Sequence, residues 1–79
     1  VKGGGILVDV RSPAEFASGH APGAVNIPVQ VLEQRLSELD PKRATVVCCA
    51  SGGRSSSARR LLDSKGFAQV VDIGPWNRF

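Results

Sequence analysis

The stretch Val46-Val47-Cys48-Cys49-Ala50-Ser51-Gly52-Gly53-Arg54-Ser55 decides the fold. It opens as an apolar, β-branched run, crosses a short loop of small residues with two glycines, and enters a segment with helical spacing. A cysteine at the end of a buried strand, just before a helix start, sits where backbone N–H groups and the positive end of a helix dipole converge. That place favours an anion. A thiolate is an anion, so Cys49 is expected to have a lowered pKa and to act as a nucleophile. A cysteine in an apolar run is more usually an inert core residue, and that is the reading for Cys48. For Cys49 the glycines and Arg54 follow at a spacing that core packing does not require.

The flanking segments alternate between strand and helix patterns. Residues 6–10 form a short apolar strand interrupted by Asp9. Ser12, Pro13 and Glu15 read as N-cap, first helical position and capping-box partner of a short helix that Gly19 closes. Residues 24–27 form a second strand, ended by Pro28. From 29 to 39, Val29, Leu32, Leu36 and Leu39 lie at helical spacing, and Asp40-Pro41 stops the helix. Residues 44–48 are the third strand and 55–65 the next helix, with Ala58, Leu61 and Leu62 inward. Gly66 is its closing glycine and Phe67 the apolar contact after it. Residues 70–73 are the fourth strand, and residues 1–5 are a flexible lead to a single domain spanning 1–79. This pattern gives an α/β class, a small open parallel β-sheet flanked by helices on both faces. In such sheets sites lie beyond the carboxyl ends of the strands. The segments around Arg11, Cys49 to Arg54 and Trp76 all fall at such ends.

Counting along the loop matters. Four residues separate Cys49 from Arg54, and five separate Cys48 from Arg54. The small side chains of Ala50, Ser51, Gly52 and Gly53 let the loop amides turn inward as an anion nest. Arg54 supplies a forked cation for a sulfonate or phosphate, although pairing with a carboxylate would also explain it. Ser55 is placed to cap the helix or to reach the sulfur.

Net charge is +3 over 79 residues, with the basic residues spread along the chain and no aromatic interleaving. That argues against nucleic-acid binding and for attraction of small anions. No apolar run approaches the ~20 residues of a bilayer span. No N-terminal segment reads as a signal peptide. Two adjacent cysteines and one histidine are too few for a structural zinc site, so no metal and no cofactor is expected. Asp9 is read as hydrogen-bonding backbone N–H groups or pairing with an arginine. Arg11 either draws an anion toward the site or is a solvated surface residue. His20 is given a structural hydrogen bond. Trp76 either walls the pocket or packs on the sheet, and Arg59-Arg60 is a solvated helix face.

With these residues in view, the chain resembles the rhodanese-like family. Leu7-Val8-Asp9-Val10-Arg11 is similar to its Asp-Val-Arg strand. Glu15-Phe16 and Gly19-His20-Ala21-Pro22-Gly23-Ala24-Val25-Asn26-Ile27-Pro28 resemble its second signature. Cys49-Ala50-Ser51-Gly52-Gly53-Arg54-Ser55 resembles its active loop. The resemblance implies a sulfurtransferase. The thiolate of Cys49 takes the outer sulfur of thiosulfate as a persulfide, and a thiophilic acceptor such as cyanide removes it. The amides of residues 50–55 hold the persulfide and Arg54 holds the sulfonate. The implied partners are an anionic sulfur donor, a thiophilic acceptor and a thiol-carrying protein. The family often carries an aromatic residue where Cys48 stands. The length resembles the small single-domain members, which leaves periplasm and cytoplasm both open as addresses. Two other functions compete. One is a cysteine-dependent phosphatase using the Cys48/Arg54 spacing, which lacks a histidine before the cysteine. The other is a non-catalytic binding module on the same scaffold.

Overall fold

β1 (Ile6–Asp9), β2 (Val25–Asn26), β3 (Thr45–Cys49) and β4 (Val70–Pro75) run parallel in one sheet, in the order β2-β1-β3-β4. The computed structural model describes residues 5–78, so most of the expected flexible lead lies outside the described residues. The central strands read as unbroken apolar runs because both of their faces are covered. Val8, Val10, Val47 and Cys49 point to one side, where Ala58 and Leu62 of α2 (Gly53–Ser64) and Leu32 and Leu39 close the main core. Leu7 and Cys48 point to the other side and pack with Ala21, Ala24, Ile73 and Trp76. Trp76 opens a final 3₁₀ turn, Trp76–Arg78, so helical segments flank both faces.

α1 (Pro13–Ser18) begins as the sequence dictates. The Glu15 N–H donates to Ser12 Oγ at 3.3 Å and the Ser12 N–H donates to Glu15 Oε1 at 3.1 Å, a closed capping box. α2 ends on Gly66 in the left-handed region, with Gly66 N–H on the Asp63 carbonyl and Phe67 N–H on that of Leu62. That is the pair of hydrogen bonds of a Schellman end, and Phe67 is buried beside it.

Two expectations are corrected. The segment 29–39 is not one α-helix but two 3₁₀ pieces, Val29–Val31 and Glu33–Glu38, kinked at Arg35 (φ −112°, ψ 15°). Two of the three apolar steps, Val29 to Leu32 and Leu36 to Leu39, are three residues long and suit a 3.0 period. The kink falls within the four-residue step between Leu32 and Leu36. The second correction concerns α2, which starts at Gly53 rather than Ser55, with Gly52 as N-cap at φ +107°. Strand ends shift by a residue or two, and β4 runs on to Pro75 through a bulge. There the register passes from Val47–Asp72 to Cys48–Gly74. The Gly74 N–H donates to Asp72 Oδ1 at 2.9 Å and holds the bulge.

Candidate active site

β3 delivers Cys49 to the point where the chain turns into α2. The turn needs Gly52 in the left-handed region, a conformation strained for any residue with a Cβ. The constraint is the backbone conformation itself, since an added Cβ would make only ordinary contact, 3.9 Å from the Gly74 Cα across the bulge. The turn aims the Gly52 N–H at Cys49 Sγ, at 2.8 Å. Ser55, fully buried on the first turn of α2, lies with its hydroxyl 3.4 Å from the same sulfur. Burial of Cys49 pushes its thiol up. Against it act the Ser55 hydroxyl and the backbone N–H groups of Ser55, Gly52 and Ser51. Together they outweigh burial and leave the thiol below its ordinary value. The helix dipole of α2 points the same way.

Ser55 has one proton and two claimants. In the thiol form it donates to the Gly52 carbonyl at 3.1 Å and accepts from Sγ–H. On ionisation the hydroxyl can turn to the sulfur. The Gly52 carbonyl then keeps the Ser56 N–H at 3.0 Å, so no buried acceptor is stranded. The capping role expected of Ser55 is therefore taken by Gly52, and Ser55 serves the sulfur.

Ala50, Ser51 and Gly53 stand exposed in the loop, while the Cys49 residue itself is fully buried. Arg54 lies close enough for its charge and that of Cys49 to favour one another. Its guanidinium is engaged: Nη1 meets Glu15 Oε1 at 2.6 Å and Nη2 meets Oε2 at 3.0 Å. The carboxylate that the sequence left unnamed is the capping-box glutamate of α1, 39 residues away. Nothing in local sequence ties the two. Two arginine forks at one sheet end, with carboxylates near, was the available signal.

Arg11 is neither solvated nor turned to the loop. It is buried, with Nε and Nη2 on the Asp9 carboxylate at 2.8–3.0 Å and Nη2 also on the Gly19 carbonyl at 2.5 Å. Its guanidinium carbon lies 4.6 Å from the Trp76 ring centre. Arg11 and Trp76 thus share the face opposite the Cys49 core. Asp9 accepts the Arg11 N–H as well, so both of its expected partners are present. Asn26 is a positioning residue not foreseen: its side-chain amide donates to the carbonyls of Asp9 and Arg11, both at 2.9 Å. His20 Nδ1 donates to the Phe16 carbonyl at 2.9 Å, and the two rings stack. Cys48 faces Asp9, and burial with that nearby charge pushes its thiol up to about 11. A phosphatase built on Cys48 would need that sulfur on the loop side, and it is not there. Among the described residues no helix is long and apolar enough to cross a membrane, and no acidic, histidine and cysteine cluster has the makeup of a metal site.

Comparison with known proteins places this arrangement. The Rhodanese-like domain family profile matches residues 1–74. A sulfurtransferase from Allochromatium vinosum is 38% identical over 68 residues, covering 86% of this chain and 64% of that protein. Thiosulfate sulfurtransferase PspE from Escherichia coli is 35% identical over 69 residues, covering 85% of this chain and 66% of its own. The chain thus spans about two thirds of these relatives' length. Among solved structures, a rhodanese with anions from E. coli superposes with a TM-score of 0.88 at 27% identity, covering 95% of this chain and 91% of that one. The thiol loop, the parallel sheet and these matches agree, and the chain belongs to the rhodanese-like domain family.

Proposed function

We propose that this chain is a sulfurtransferase acting through a persulfide on Cys49, with thiosulfate or a related sulfane-sulfur anion as donor. The observation that carries the reading is the convergence of main-chain N–H groups and the Ser55 hydroxyl on one sulfur at the start of α2. The Cys49 thiolate attacks the outer sulfur of thiosulfate. A new S–S bond forms, the S–S bond of the donor breaks, and sulfite leaves with the bonding pair. Charge is conserved, since the persulfide keeps the single negative charge of the thiolate. A thiophilic acceptor such as cyanide, or a thiol on another protein, then attacks the outer sulfur and regenerates the thiolate. Loop amides that stabilise a thiolate stabilise the terminal sulfur of a persulfide by the same dipoles.

Intact-mass measurement after incubation with thiosulfate tests this. The wild type and Cys48→Ser are expected to gain the mass of one sulfur atom, Cys49→Ser to gain none, and cyanide to remove it as thiocyanate. An unchanged wild-type mass overturns the proposal and leaves a binding module on the same scaffold.

A further inference from the structure

The geometry points to Glu15 as an internal anion that competes with the donor for Arg54 and so sets how the site discriminates between donors by charge. The inference deepens the sulfurtransferase reading and rests on it. Arg54 meets the Glu15 carboxylate end-on with both terminal nitrogens, the same pair that would meet a sulfonate end-on. Arg11, the other arginine at this end of the sheet, is buried on Asp9 and holds no such face open. Glu15 is anchored from behind. Its Oε1 also accepts the Ser12 N–H at 3.1 Å and the Ser12 hydroxyl at 3.0 Å. The carboxylate therefore stays with α1 when Arg54, on a flexible and one-third-exposed stem, swings toward a donor. An incoming anion meets two costs: Arg54 must leave or share Glu15, and the donor's charge stands near a fixed negative one. A dianion feels the second cost more than a monoanion. Glu15 stays ionised through the neutral range, because Arg54 and the Ser12 hydrogen bonds hold its carboxyl down at about 2.

Glu15→Gln tests this, because glutamine also closes a capping box and the fold of α1 is kept. KM for thiosulfate, a dianion, is expected to fall about two- to five-fold, the range of one part-exposed ion pair. KM for an aryl thiosulfonate, a monoanion, is expected to fall less. Equal shifts for the two donors, or a KM for thiosulfate that is unchanged or raised, overturn the inference. A second readout is thiosulfate binding by calorimetry in the unreactive Cys49→Ser background. Addition of Glu15→Gln should tighten it by the same factor, and unchanged affinity overturns the competition. If the wild type takes up no sulfur yet Glu15→Gln still tightens thiosulfate binding, the sulfurtransferase reading falls and the competition stands.

Discussion

Cys49 loses all contact with solvent on folding, which alone would raise its pKa. It is the direction of nearby N–H groups that reverses the sign. Cys48, one residue earlier, is equally buried but faces the Asp9 carboxylate, and its thiol rises to about 11. Alkylation with iodoacetamide should separate the two. In Cys48→Ser the rate should rise at a pH below the ordinary thiol value of about 8.5, and in Cys49→Ser only well above it. An ordinary titration in Cys48→Ser would show that the amides do not act on the sulfur. The place of Cys49, at a strand end among amides that lower its thiol, was legible in the sequence, because strand, small residues, glycines and helix start stand in one line. The partner of Arg54 was not, since Glu15 is distant in sequence and already had a sufficient local role in the capping box.

α1 is six residues long, too short to persist on its own. It is held at its first turn by Ser12 and Glu15, and from outside by Arg54. This gives the element an acid-sensitive anchor. The Glu15 pKa is depressed, so its stabilising effect is fully present above about 4.3 and is lost as pH falls through about 2. Urea midpoints of wild type and Glu15→Gln should therefore differ at neutral pH and converge toward pH 2. A constant difference would assign the effect to packing. The capping box was legible because its signals lie within four residues. The 3₁₀ form of 29–39 was not, because a mixture of three- and four-residue apolar steps fits either helical period over so short a run. The start of α2 was misplaced for a related reason. Ser55 is a good capping residue by type, but Gly52 takes the left-handed backbone that lets the loop face the sulfur.

At the scale of the molecule, a chain of 79 residues has a folding free energy of roughly 4–12 kcal/mol. One buried ion pair is then a large fraction of the whole. Asp9 and Arg11 are both buried and satisfy one another, the Arg11 backbone N–H and the Gly19 carbonyl. Asp9→Ala leaves a buried guanidinium without its anion and should cost about 3–5 kcal/mol, read from chemical denaturation. Removing Arg11 as well should recover part of that loss, and strict additivity of the two changes would show that they are uncoupled. The parallel α/β order was readable throughout, since strands covered on both sides have to be apolar along their length. The register bulge at Ile73 was not, because it depends on a cross-strand fit between β3 and β4. The alternation of β3 has one more effect. Neighbouring residues of a strand look out from opposite sides, so the sheet is a partition with Cys49 in one room and Cys48 in the other. On the proposed mechanism, a sulfur atom loaded on residue 49 would stand across the sheet from the Cys48 thiol, which is walled off from receiving it.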